Sequence, residues 1–346
     1  MGQELDMLDV CFYMKTMTLK ENLGADGKIA RQIARRILES ARSRNPVVYG
    51  IETTNDCRMK CEICPRTKKI NRPVQDLDMK AFKKIAEQIR PFSKKLWRQW
   101  ETFVKETYQI LPDEMNENHF FLYIIPKVLV LHGYGDPLLD DSIGEKIKIL
   151  TKRHIKSYFS CHPLAFNMEK IVECFENELT YLKFSASSLN HPGFLAQVDD
   201  LLAIKKQKGY ATKLVMAMVD INHSGQKNEL AMLKRKYIPQ GVYVYLKSQD
   251  QRWYRNHPAE SRAIHWNEFC QFPWSSMSIH SDGSVVPCCT IYNHEMILGN
   301  TAREKLKAIW NGTSYKKFRE QHIIMNAKSK CTTRCDMKLI GEWIGA

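Results

Sequence analysis

Apolar positions along this chain follow two alternating rhythms. Residues 27–44 place Ile29, Ile33, Ile37 and Ala41 on one face and Arg31, Arg35 and Arg42 off it, which is the spacing of an amphipathic helix with a solvated arginine side. Asn45-Pro46 ends the run, because a residue before proline is driven out of the helical region. Val47–Thr53 then reads as a strand, and Asp78–Ile89 returns to helical spacing through Met79, Phe82, Ile85 and Ile89. Further on, Val128–Leu131, Ser157–Ser160, Tyr181–Ser185, Lys213–Val219 and Val242–Leu246 read as strands. Helical patterns around 142–153, 168–178, 194–207 and 226–236 separate them. Strand–helix alternation at this spacing predicts an α/β fold, a parallel sheet with helices outside, either open or closed as a barrel.

Two stretches break the rhythm. Residues 91–119 are polar and aromatic-rich, with Trp97, Trp100 and Phe103 close together. They read either as a helix packing a core of its own or as a lid over a substrate. The composition shifts again at 250–265, beyond which the chain is rich in Cys, Gly, Pro and Asn, with helices expected near 303–310 and 314–325. Asp282-Gly283 reads as the turn of a hairpin between Met277–His280 and Ser284–Pro287. The expected organisation is an N-terminal helical extension (1–46), a core (47–250) carrying an insertion (91–126), and a small Cys-rich C-terminal domain (251–346).

Composition narrows the class. The longest apolar run, Phe120 to Leu131, is 12 residues and is broken by Pro126 and Lys127, whereas a membrane-spanning helix needs about 20. The opening MGQELDMLDV has acids where a secretory signal has basic residues, so the expected location is the cytoplasm. Lysine and arginine exceed acids by 52 to 38, a formal charge of +14, which favours an anionic partner. Eleven cysteines in such a chain argue for metal chemistry rather than disulfides.

Cys57, Cys61 and Cys64 have the spacing C-x3-C-x2-C in the loop directly after the first strand. Three thiolates on one short loop hold three irons of a [4Fe–4S] cube and leave the fourth without a protein ligand; structural zinc takes four protein ligands. Ligand sites gather at the C-terminal mouth of a parallel sheet, where this loop falls. The loop resembles the signature of the radical S-adenosylmethionine (radical SAM) enzymes. Downstream, His132-Gly133-Tyr134-Gly135-Asp136-Pro137 is similar to that family's glycine-rich strand end, which lies along the methionine part of SAM and helps hold its ammonium. Asp136 stands where glutamate is common, and Ile63 stands where an aromatic residue near the adenine is common. Ser160 and Ser185 end predicted strands where the family places ribose and carboxylate contacts; each also reads as an ordinary strand-end hydroxyl. The resemblance implies a partial barrel of the TIM type, with Ile63, Gly133, Tyr134, Gly135, Asp136, Ser160 and Ser185 against SAM.

The segment from Cys270 through Asp282-Gly283 to Cys288-Cys289, with Leu298-Gly299-Asn300, Ile309-Trp310-Asn311 and the closing pair Cys331 and Cys335, resembles a SPASM or twitch domain. These extensions carry auxiliary iron–sulfur clusters. Cys270, Cys288, Cys331 and Cys335 suffice for one fully ligated [4Fe–4S] cluster, with Cys289 an alternative to Cys288; a four-cysteine zinc site is the other reading. The resemblance implies reductive cleavage of SAM to a 5′-deoxyadenosyl radical that abstracts hydrogen from a small-molecule or peptide substrate. It also implies an auxiliary cluster for electron transfer and a low-potential donor such as flavodoxin or ferredoxin. Two alternatives stand beside it. An RNA-modifying enzyme is suggested by the charge and by Lys205-Lys206-Gln207-Lys208 and Lys234-Arg235-Lys236, and the other is a zinc-bound scaffold without catalysis. Cys161 near the mouth reads as a hydrogen donor or a buried thiol, and His162-Pro163 and His191-Pro192 read as turns.

Overall fold

The computed structural model describes residues 11, 12, 14, 35–61, 64–91, 93–111, 115–186, 191, 193–220, 224–247 and 272–323. β1 (Val48–Ile51), β2 (Leu129–Val130), β3 (Ser157–Cys161), β4 (Tyr181–Ser185), β5 (Lys213–Val219) and β6 (Val242–Lys247) all run parallel. A C-terminal group, β7 (Met277–Ile279), β8 (Ser284–Val286) and β9 (Gly299–Asn300), turns back on itself by antiparallel pairing. All nine join one unclosed sheet in the order β6-β5-β4-β3-β2-β1-β7-β8-β9. β7 therefore lies parallel against β1, with Ile51 opposite Ile279. The bonds Met277 N to Val47 O (2.9 Å) and Glu52 N to Ile279 O (2.8 Å) extend that pairing at both ends.

Two of the connecting helices start at a side-chain cap. Asp78 accepts from Lys80 N and Ala81 N at the start of α2 (Met79–Ala86), which buries Phe82, Ile85 and Ala86; Asn167 does the same, through Lys170 N, for α5 (Met168–Glu176). α1 (Pro65–Lys68), α4 (Ile143–Lys152), α6 (Gly193–Lys208) and α7 (Gln226–Tyr237) complete the set around the parallel strands. Strand side chains alternate between faces. On the outer face Ile51, Leu129, Phe159, Leu182, Met216 and Val244 pack with helix residues such as Phe82, Ile147, Ile171, Val198 and Leu233. The inner face carries Val130, Tyr158, Tyr181, Val215, Ala217 and Tyr245, with Tyr49 and Tyr243 at its margin.

The insertion does not lie over the mouth. α3 (Lys94–Tyr108), capped by Ser93 and ended by Gln109 in a left-handed conformation, builds its own core from Leu96, Trp100, Val104, Ile110, Leu122 and Tyr123. Trp100 Nε1 donates to Leu122 O at 2.6 Å. The segment that follows widens into a π turn at Phe120–Ile124 before Pro126 tightens it. Phe120, Ile124 and Ile125 pack into the inner face, where Phe120 stacks on Tyr245 at 5.2 Å. This plug leads directly into the N-terminal end of β2, so it enters opposite the strand ends that carry the cysteine loop. The lid reading is thereby corrected.

At the other edge, α8 (Leu306–Asn311) and α9 (Thr313–Ile323) follow β9. Residues 35–41 are helical and dock there, burying Leu38 and Ala41 with Trp274 and Ile323. Glu39 accepts from Trp274 Nε1 at 2.9 Å. Arg42 is not solvated as its helical position suggests. Its side chain is 14% exposed, lies 5.7 Å from the centre of the Trp310 ring and donates to Asn311 Oδ1 at 2.9 Å. Arg35 keeps an exposed pairing with Glu320. Among the described residues no helix is long and apolar enough to cross a membrane.

Candidate cofactor site

β1 leaves the sheet at Glu52, and the chain that follows is held tightly up to the first cysteine. Thr53, Thr54 and Asn55 are buried. Asn55 clamps the returning limb of the loop, donating through Nδ2 to Pro73 O and accepting Gln75 N through Oδ1. Arg66 Nε in turn donates to Asn55 O at 2.8 Å. Between these limbs lie Cys57, Cys61 and Cys64, all half-buried, with Cys61 O accepting from Cys64 N (3.1 Å) and Thr67 Oγ1 (2.7 Å). Burial pushes all three thiols up, and in Cys64, at about 11, the neighbouring Cys61 and Cys57 add to the effect. Thiols in this state become thiolates only against metal charge. Three clustered thiols on one anchored loop fit a cluster that takes three protein ligands.

The glycine strand end meets this loop edge to edge. Asp136 N donates to Asp56 O at 2.6 Å. A Cβ on Gly135 would stand 2.2 Å from Thr54 O, and one on Gly133 would stand 2.6 Å from Glu52 Oε1; both positions require glycine for close approach. Asp136 is 5% exposed. Burial pushes its carboxyl up to about 6, against the opposing pull of the Leu138 N–H and of Arg58. Its charge contributes to the raised thiols of Cys57 and Cys161, which sets it within electrostatic reach of the cysteine loop. A buried carboxyl with no ion-pair partner among the described residues fits the ammonium of an amino acid moiety.

His132, at the start of this segment, accepts from Ser160 N through Nδ1 at 3.2 Å. Burial, with Lys183 adding to it, lowers its pKa to about 3, so the imidazole is neutral with its proton on Nε2. By strand alternation Ser160 and Ser185 share the inner face with Tyr158 and Tyr181. Tyr134 reaches in two directions, its N–H to Glu52 Oε1 (3.0 Å) and its hydroxyl to Cys289 O (3.1 Å). Cys161 belongs to the outer core and its Sγ faces Lys183 O at 3.6 Å, so the buried-thiol reading holds and the hydrogen-donor reading is corrected. His162 accepts from Leu164 N and His191 from Gly193 N, both as turn caps.

The residue that sequence reasoning missed is Glu52. It is 2% exposed and receives both Arg72 nitrogens, at 2.8 and 2.9 Å. It also accepts from Tyr134 N and from Ser281 N (3.1 Å), so one carboxylate joins β1, the glycine segment and the C-terminal hairpin. Arg72 continues to Tyr292 O (2.7 Å), while Asn293 bonds Lys69 O and Asn71 N. The return limb of the cysteine loop is thus bolted to residues 292–293. A charged residue inside an otherwise apolar strand was the only signal available. Cys288 is half-buried, 3.0 Å from Thr290 Oγ1, and Cys289 is half-buried beside it. Ile63, Cys270, Cys331 and Cys335 lie outside the described residues.

Comparison with known proteins agrees with this arrangement. Residues 270–336 match the family model of SPASM, an iron–sulfur cluster-binding domain. No curated protein sequence matches the chain. Among solved structures, BtrN in complex with AdoMet and 2-DOIA is similar with a TM-score of 0.50 and 15% identity, covering 85% of this chain and 94% of that one. Native anSMEcpe with bound AdoMet gives 0.49 and 12%, covering 83% and 88%. SuiB from Streptococcus suis bound to S-adenosylmethionine gives 0.48 and 14%, covering 84% and 70%. The fold comparison rests on the first of these. The three-cysteine loop and the glycine strand end thus stand at the mouth of an open parallel sheet similar in fold to BtrN, and residues 270–336 match a SPASM iron–sulfur cluster-binding domain.

Proposed function

We propose that this protein is a radical SAM enzyme that abstracts hydrogen from a small-molecule or peptide substrate, with one auxiliary cluster for electron transfer. The observation that carries the reading is the meeting of three clustered thiols with the buried Asp136 carboxyl. Cys57, Cys61 and Cys64 would hold a [4Fe–4S] cluster with one open iron, and Cys270, Cys288, Cys331 and Cys335 would hold the auxiliary one. When bound, the first cluster and SAM supply an electron for cleaving the sulfonium and a carbon radical able to take hydrogen from a C–H bond.

The chain's own residues bind, orient and exclude water. Asp136 pairs with the SAM ammonium, and Gly133 and Gly135 let backbone lie against the ligand. Ser160, Ser185 and the Nε2–H of His132 offer hydrogen bonds along the inner face, and Ile63 offers an apolar face to the adenine. The plug of Phe120, Ile124 and Ile125 fills the inner face from the far end, which leaves the mouth as the way in. A reducing, cytoplasmic setting with flavodoxin or ferredoxin as donor suits this chemistry. The lysine runs behind the RNA alternative have a local account. Lys205, Lys206 and Lys208 lie in the last turn of α6, and Lys234, Arg235 and Lys236 in that of α7. There cations complement the helix dipole, and Lys236 also pairs with Asp199 at 2.7 Å.

The test is anaerobic reconstitution with iron and sulfide counting, for the wild type and a Cys57→Ala/Cys61→Ala/Cys64→Ala variant, followed by dithionite and SAM. About eight irons per chain falling to about four in the variant, with 5′-deoxyadenosine from the wild type alone, is the expected result. Zinc in place of iron and no 5′-deoxyadenosine would return the chain to a scaffold.

A further inference from the structure

The C-terminal hairpin holds a second donor set that the cysteine chemistry does not use. Among the described residues, His280, Asp282 and His294 bring their ligand atoms within 4.8 Å of one another. His280 directly follows β7, Asp282 sits in the turn, and His294 comes from the loop after β8, so the set joins two separate segments.

His280 is built as a metal-ligating histidine is. Its side chain is buried, the residue being 4% exposed, and Nε2 lies 3.0 Å from Ile291 O. A carbonyl only accepts, so Nε2 carries the proton and Nδ1 keeps a bare lone pair. That Nδ1 is buried with no hydrogen-bond partner among the described residues. A backbone carbonyl that fixes the tautomer and frees the other nitrogen is the usual outer-shell support of a histidine ligand. Asp282 is oriented in a similar way, with Oδ1 accepting from Ser284 N at 2.9 Å. Its Oδ2 is left to meet His294 Nε2 at 2.6 Å. His294 is the movable member, its side chain 43% exposed.

We propose that His280 Nδ1, Asp282 Oδ2 and His294 Nε2 form a three-ligand site for a borderline divalent cation of the Zn²⁺ or Fe²⁺ type, with water completing the shell. Two imidazoles and one carboxylate select this class over Mg²⁺ and Ca²⁺, which favour all-oxygen sites. Bonds of about 2.0–2.1 Å in a tetrahedron place donors about 3.3 Å apart. The Asp282–His294 contact therefore opens by less than about 1 Å as the ion enters, and exposed His294 has room to give way. The ion would tie the hairpin turn to the loop whose Tyr292 and Asn293 hold the return limb of the cysteine loop.

The experiment uses the full-length, cluster-loaded protein under anaerobic conditions, stripped of loosely held ions with EDTA and equilibrated against Zn²⁺ by dialysis. Zinc, iron and sulfide are then counted for the wild type, His294→Gln and Asp282→Asn. The glutamine variant changes an exposed rim residue, and its circular dichroism and iron content report on folding. The expected result is one zinc more per chain in the wild type than in either variant, at equal iron and sulfide. Zinc affinity should fall by more than the 10–100-fold that loss of an outer-shell partner costs. Equal zinc in the wild type and His294→Gln at equal iron would leave Asp282–His294 a plain ion pair and overturn the site. So would zinc that enters only as iron leaves.

Discussion

Arg72→Ala is the sharpest test of how the cysteine loop is anchored. The change leaves the Glu52 carboxylate buried, with the Tyr134 and Ser281 N–H groups as its remaining bonds. In the wild type, burial raises the Glu52 pKa, but the bonds and charge of Arg72, with His280 and the Tyr134 N–H, outweigh it and hold the group below its ordinary value. Stability from this group is therefore present above the unfolded-state pKa and lost as pH falls through the folded one. In the variant the balance reverses. The folded pKa rises above the unfolded one, and the penalty grows as pH rises. Removing one member of a buried pair costs about 3–5 kcal/mol, and the lost Arg72–Tyr292 bond adds about 1 kcal/mol. The loss is expected to be about 4–6 kcal/mol at about pH 7 and to shrink at about pH 4, near the unfolded carboxyl's own pKa. Urea unfolding of cluster-loaded protein, followed by tryptophan fluorescence, reads both values. The double variant Glu52→Gln/Arg72→Met removes both charges and should recover at least about 2 kcal/mol of the loss. A single variant within about 1 kcal/mol of wild type, or a double variant less stable than the single one, would refute the anchoring argument.

Asp136→Asn separates stability from cofactor binding. Burial lifts the Asp136 carboxyl to about 6, so the folded state holds its proton more tightly than the unfolded one, and stability falls as pH rises from about 4 through 6. Without SAM the asparagine variant should gain up to about 3 kcal/mol at about pH 7 and nothing at about pH 4, while SAM affinity, read by equilibrium dialysis, drops. Unchanged affinity would remove Asp136 from the ammonium. Gly135→Ala drives a methyl into Thr54 O, at 2.2 Å from backbone that cannot step aside; a cost of about 1–3 kcal/mol and loss of SAM binding are expected. A fully loaded alanine variant that binds SAM normally would contradict the close approach of these strand ends.

Much of the parallel sheet was legible because its signals are local. Tyr181–Ser185 and Lys213–Val219 are largely apolar runs set between helical patterns, and both appear as read. The partners of such strands are less visible. The Asp282-Gly283 hairpin follows from its turn residues, but nothing near Met277 encodes that β7 pairs with β1. β9 is two residues, and it exists because Gly299 lacks a side chain where Ile309 packs; a Cβ there would be 2.6 Å from Ile309 Cγ2. Arg42 was misread because helical position says nothing of a Trp310 ring arriving from the other end of the chain. The cysteine loop and glycine strand end were readable as motifs, whereas Glu52 and Arg72 stand twenty residues apart across a loop, with no periodicity to mark them as a pair.

The parallel seam between β1 and β7 also sets an order of events during synthesis. Val48 leaves the ribosome more than two hundred residues before its partner Met277. Closing so long a loop adds little to the entropy of folding, but such distant pairing slows it. In the interval β1 has a bare edge, open to pairing with another chain, and Arg72 and Asn71 lack the carbonyl and amide of residues 292–293 that hold them. The cysteine loop gains its final anchor only with the last fifth of the chain, so the proposed cluster would find its loop fully held only after translation. A nascent chain stalled near residue 250 would carry three thiols and an open strand edge, prey to oxidation and aggregation together.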